Sequence, residues 1–136
     1  MNRLFSLKKG QEGQATVEFA LLLPIFLLLL LGIIEMGFIF KDYIVVPHGA
    51  REGARRAALG KTDAEICQVV LDSLTVSQPE LVQIVIDPTE GSREKGEPTT
   101  VTVIYPHHLI IPVPSGVIPN PITLQGKMTT RIEKGG

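Results

Sequence analysis

Apolar positions are gathered near one end of this chain. From Phe19 to Ile34, sixteen consecutive residues carry no charged or hydrogen-bonding side chain, and the run reaches Phe40 if Glu35 is tolerated within it. At about 1.5 Å per residue the longer stretch covers roughly 33 Å, enough for a bilayer core of about 30 Å. The pattern predicts a spanning helix over about 17–40. A cleaved secretory signal fits less well, because no small-x-small site follows the apolar run before Lys41. Glu35 is expected at the far interface, where its carboxylate stays hydrated, with interhelical pairing as the alternative.

Helical periodicity continues beyond Lys41 to Ala58, and Gly60 supplies a C-terminal stop. One face of this 41–60 segment carries Val45, Val46, Gly49, Ala50, Gly53, Ala54, Ala57 and Ala58. Each glycine in an exposed helix costs about 1 kcal/mol relative to alanine, so two on one stripe imply close packing. The chain's own sheet is the expected partner, with helices of other subunits as the alternative. His48, Arg51, Glu52, Arg55 and Arg56 form a solvated opposite face, with Glu52 expected to pair with Arg56. Pro24 and Pro47 each remove one helix hydrogen bond.

Residues 61–136 read as a small head. Thr62-Asp63-Ala64-Glu65 is a capping box opening a second helix to about Leu74. Three strand-like runs follow: Leu81–Asp87, the stretch around Val101, Val103 and Tyr105, and Ile122 to Glu133. In the last, Ile122, Leu124, Gly126, Met128 and Ile132 alternate with polar residues, which predicts one dry and one wet face. The polar segment from Pro88 to Thr99 is expected to be a hairpin with an exposed tip. Between Pro106 and Pro121, five prolines interrupt Leu109, Ile110, Ile111, Val113, Val117 and Ile118. Such a link either covers the core or exposes a patch, and covering is the expectation.

The formal net charge is −1 over 136 residues, too balanced a field to recruit nucleic acid. Cys67 is the single cysteine, so no internal disulfide forms, and its spacing with Val70, Leu71 and Leu74 suggests a buried thiol. No catalytic, cofactor or metal set stands out. His107 and His108 are adjacent and point to opposite faces of an extended chain, and His48 with Glu52 is too small a ligand set for zinc. The chain is therefore not expected to be an enzyme.

Between a leader carrying Arg3, Lys8 and Lys9 and the apolar run lies Gly13-Gln14-Ala15-Thr16-Val17-Glu18-Phe19. A glycine followed by a segment whose fifth residue is Glu resembles the class III signal of type IV prepilins. That resemblance implies cleavage between Gly13 and Gln14 by a prepilin peptidase on the cytoplasmic side, with the helix retained. The N-terminus is placed in the cytoplasm on this ground, since Lys41, Arg51, Arg55 and Arg56 balance the leader's positive charge. A carboxylate at the edge of a span is costly unless paired. In pilins the equivalent of Glu18 is thought to attract a neighbouring subunit's terminal amine.

The run Gln14 to Pro24, then Gly32-Ile-Ile-Glu35-Met-Gly37, then Gly49-Ala-Arg-Glu-Gly-Ala-Arg55 resembles the TadE-like family of tight-adherence (Tad/Flp) pilus systems. The resemblance covers roughly the first sixty residues. It implies a minor pilin or pseudopilin in the bacterial inner membrane, assembling an Flp pilus for adhesion. Its implied partners are membrane lipid, the prepilin peptidase, other pilins and pseudopilins, and the inner-membrane assembly platform. The expected fold class is α+β: a long transmembrane helix of the type IV pilin kind, then a head with one short helix and a three-stranded antiparallel sheet. Segments 1–13, 14–60 and 61–136 form leader, long helix and extracytoplasmic head. The functional residues it implies are Gly13 and Gln14 for cleavage and Glu18 for assembly; Gly49, Ala50, Gly53, Ala54 and Ala57 are the helix-packing residues that the spacing itself predicts. The alternative reading is an unprocessed single-pass anchor displaying a ligand-binding or sensory head.

Overall fold

A computed structural model describes residues 3–114 and 116–133, with side chains from Gly13 onward. The elements are α1 (Arg3–Ala58), α2 (Asp63–Ser73), β1 (Gln83–Asp87), β2 (Pro98–His107) and β3 (Ile122–Arg131). Short 3-10 turns occupy Pro79–Leu81 and Glu90–Ser92. The expected α+β class and three-stranded antiparallel sheet are present. The chain divides into two compact units, Met1–Met36 and Gly37–Gly136.

The first unit is helical throughout its described part. Its apolar side chains face outward, with Phe19, Leu21 and Ile25 among the exposed residues. An aqueous helix would not leave such a surface uncovered, whereas hydrocarbon solvates it without cost. Glu35 departs from expectation: it is only 5 % exposed rather than hydrated.

The second unit is built on the final turns of α1. Gly60 takes a left-handed conformation (φ 70°), which costs glycine little and ends the helix. Its N–H donates to the Ala57 carbonyl, and that of Lys61 to the Arg56 carbonyl. Thr62 then caps α2 by accepting from the Glu65 N–H, while the Glu65 carboxylate accepts from the Thr62 N–H. This is the expected capping box.

The sheet is a meander in the order β1-β2-β3, antiparallel throughout. Val101, Val103 and Tyr105 of β2 are buried, and the intervening Thr102 and Ile104 are not. Leu124, Gly126 and Ile132 are buried as the alternation requires, but Met128, paired with Val101, is 40 % exposed. The strands are laid along α1. Asp42 meets His107 at one end, and Glu133 N–H reaches the Ala58 carbonyl at the other. The core closes around Val46, Ala50, Ala54, Ala57, Ile66, Val70, Val101, Val103 and Tyr105.

Two loops differ from their sequence reading. The 88–97 connection is a strap as well as an exposed tip. Arg93 donates to the carbonyls of Lys61 (2.7 Å) and Pro88 (3.0 Å) and pairs with Asp63, while Asp63 and Glu90 exchange backbone-to-carboxylate hydrogen bonds. Burial pulls the Arg93 guanidinium pKa below its ordinary value. The proline-rich β2–β3 loop does not cover the core. None of its described residues from His108 to Pro121 is buried, and Ile110 and Val117 are 73 % and 72 % exposed.

Candidate functional site: the helix entry and the small-residue stripe

Gly13, Gln14 and Glu18 all lie on α1, and all are exposed. One helical turn brings positions 14 and 18 onto one face, and the Gln14 amide Nε2 donates to Glu18 Oε1 at 3.1 Å. The bond satisfies one lone pair of a carboxylate that directly precedes Phe19 and the apolar run. Gln14, the residue that cleavage would make N-terminal, thus contacts Glu18 through its side chain. Among the described residues a Cβ at Gly13 would meet nothing within 4 Å, so their packing does not demand glycine there. The side chains of Arg3, Lys8 and Lys9 lie outside the described ones.

The stripe on α1 is packed within the second unit, by α2 and the sheet. A Cβ on Gly49 would approach Leu74 Cδ2 to 2.8 Å, and one on Gly53 would lie 2.7 Å from Val70 Cγ2 and 3.0 Å from Val101 Cγ1. Ala50, Ala54 and Ala57 are fully or almost fully buried. The small residues therefore let α2 and β2 close on α1 at short range, with α2 taking a larger part than the sheet-only reading anticipated. On the outer face Glu52 pairs with Arg55 at 3.2 Å, one position short of the expected Arg56. Cys67 is free and half-buried rather than fully buried.

A second polar cluster escaped the sequence reading. Asp42 and His107, 65 positions apart, are both buried and bond through Oδ2 and Nδ1 at 2.8 Å. Lys41 lies 3.3 Å from the other Asp42 oxygen and donates to the Thr75 carbonyl at 2.6 Å. Tyr105 stacks edge-on to His107, with ring centroids 6.4 Å apart. Burial first, and the Asp42 charge behind it, push the Tyr105 phenol above 10.0, against hydrogen bonds from the Gln78 and Ser77 backbone. His107 and His108 do point to opposite sides, one buried and one exposed. The only signal for Asp42 was an unexplained acid just past the apolar run. Among the described residues no group of three or more His, Cys, Asp or Glu is placed to hold a metal.

Among the described residues, one helix is long and apolar enough to cross a membrane, and it leads into an α+β unit packed on its final turns. These features fit a single-pass membrane protein. Residues 13–55 match the model of the TadE-like protein family, the family that the sequence resembles. The matched stretch starts at Gly13, takes in Glu18 and the apolar run, and stops within the small-residue stripe. No curated protein and no solved structure matches the chain.

Proposed function

We propose that this protein is a minor pilin or pseudopilin of a Tad/Flp-type pilus. A prepilin peptidase cuts between Gly13 and Gln14 on the cytoplasmic face of the inner membrane. The helix stays in the bilayer as the anchor, and the α+β unit lies outside the cytoplasm. Glu18 then serves assembly: its carboxylate draws the cleaved N-terminal amine of a neighbouring pilin subunit, so that both charges are neutralised as the helix enters the filament. The observation carrying this reading is the family match beginning at Gly13, on the same segment that presents Glu18 exposed at the entry of the apolar helix.

Chemistry supports the separation of roles. The scissile bond needs a small residue before it, and Gly13 is exposed, with no described side chain within 4 Å of where a Cβ would lie. Glu18 is desolvated only when the helix moves deeper into an apolar phase, so its need for a cation arises during assembly. The Gln14 side-chain bond holds the carboxylate meanwhile.

The test uses two variants in the native cell. Replacing Gly13 with a bulky residue, as in Gly13→Leu, blocks cleavage and leaves the full-length chain. Glu18→Ala is cleaved normally but fails to support pilus assembly. Normal piliation in cells carrying only Glu18→Ala contradicts the role given to Glu18.

A further inference from the structure

The β2–β3 loop has a composition that a water-facing loop rarely shows. From Pro106 to Pro121 there is no Asp, Glu, Lys or Arg. Ile110 and Val117 are about three-quarters exposed and Ile118 is 44 % exposed. We propose that this loop is a second membrane contact, its Ile110, Val117 and Ile118 side chains entering the headgroup–acyl boundary of the bilayer that α1 crosses. The inference rests on the reading of α1 as a membrane span.

Position within the second unit selects lipid over other partners. The loop leaves β2 at His107, which is tied to Asp42 of α1. Leu109 and Ile110 line the same cavity, about 280 Å³, as Phe38. Phe38, Ile39 and Phe40 end the apolar run of α1, and Lys41 is the first cation after it, so this level of the helix is where hydrocarbon gives way to headgroups. Phe40, Tyr43 and Ile44 are exposed at the same level, an aromatic and aliphatic rim suited to that boundary. The loop thus continues an apolar surface that already belongs to the membrane.

The backbone suits such a site. Irregular chain is excluded from the hydrocarbon core because unpaired N–H and C=O groups are costly there, which confines the loop to the interface. Proline has no N–H to leave unpaired, and Pro112, Pro114, Pro119 and Pro121 reduce that cost further. The base is closed internally: Leu109 N–H donates to the Asn120 side-chain oxygen at 3.1 Å, and Val117 N–H to the Pro114 carbonyl at 3.3 Å. Apolar side chains on interfacial segments sink about 5–10 Å into the boundary, within reach of isoleucine and valine on a surface loop.

The experiment reconstitutes the full chain, with Cys67→Ser, into vesicles of phosphatidylcholine and phosphatidylglycerol. A polarity-sensitive fluorophore is attached in turn at Val117→Cys, at Leu27→Cys within the span, and at Gln125→Cys on the exposed face of β3. Quenching by aqueous iodide and by lipids brominated near the headgroup end of their chains is then compared. The proposal expects the residue-117 probe to be blue-shifted, quenched by brominated lipid, and several-fold less quenched by iodide than the residue-125 probe. Residue 117 behaving like residue 125, while residue 27 remains lipid-quenched, overturns the loop contact and leaves the span intact. Iodide access at residue 27 overturns both. Shielding of residue 117 without lipid quenching, relieved on diluting the protein in lipid, assigns the patch to a second copy and overturns the proposal.

Discussion

Asp42 and His107 are individually unremarkable in the sequence, yet together they pin the end of β2 to α1 at 2.8 Å in a site closed to water. Removing one partner leaves the other buried and incompletely matched, although Lys41 at 3.3 Å still offsets part of the Asp42 charge. His107→Ala should therefore destabilise the protein by about 2–3 kcal/mol, somewhat below the usual penalty for breaking a buried pair. Urea unfolding of the full chain in detergent measures this, and a change no larger than that of His108→Ala would remove the pair from the account. The alternation of strand residues correctly sent the two histidines to opposite faces. It carried no information on which distant acid the buried one would meet, because a contact across 65 positions is a property of tertiary packing. The capping box, being local, was legible in full. Glu65 has its pKa lowered from 4.5, first by the Lys61 side chain and then by the Thr62 N–H. A carboxylate with a depressed folded-state pKa stabilises fully above its ordinary value, and the contribution is lost as pH falls through the lowered one. Hydrogen exchange at the first turn of α2 should accordingly rise, relative to the middle of that helix, as pH is taken below about 4.5.

Packing of whole elements turns on three glycines whose substitutions differ in consequence. At Gly126 of β3 a Cβ would lie 2.6 Å from the Pro47 Cα, a backbone atom that cannot swing aside. Gly126→Ala should cost about 2 kcal/mol or more through overpacking. At Gly49 the obstacle is the far end of the flexible Leu74 side chain, and alanine gains about 1 kcal/mol of helix propensity, so Gly49→Ala should be close to neutral. Gly53→Ala, facing the stiff Val70 and Val101, should fall between them. Urea midpoints of the three variants in detergent give the order directly, and a Gly49 variant less stable than the Gly126 variant contradicts the packing described. The stripe on α1 was visible from residue spacing, since glycine and alanine at helical intervals have one obvious physical use. Gly126 was read only as one position in an alternating strand. Its close approach depends on where β3 crosses the helix, and local pattern does not contain that. The β2–β3 loop shows the converse. Its apolar side chains suggested a cover for the core, but its prolines prevent the regular pairing that would hold it there, and the chain leaves it outside.

At the scale of the molecule, the apolar run and the α+β unit were both legible because each follows from hydrophobic periodicity alone. The division of the chain was less so. The compact second unit starts at Gly37, well before the last residue of α1, and Val46, Ala50, Ala54 and Ala57 of that helix belong to its core. The proposed cleavage segment has no partner fold to reveal it; the proposal rests on the order of leader, Gly13, Glu18 and apolar helix, together with the family match over residues 13–55. The central claim is that a peptide bond ahead of a retained membrane helix is cut. The most direct check is the intact mass of the protein extracted from membranes of its native cell. The account predicts a chain beginning at Gln14, or the same chain less one ammonia if that glutamine has cyclised. A mass retaining Met1 in cells with an active prepilin peptidase would contradict it.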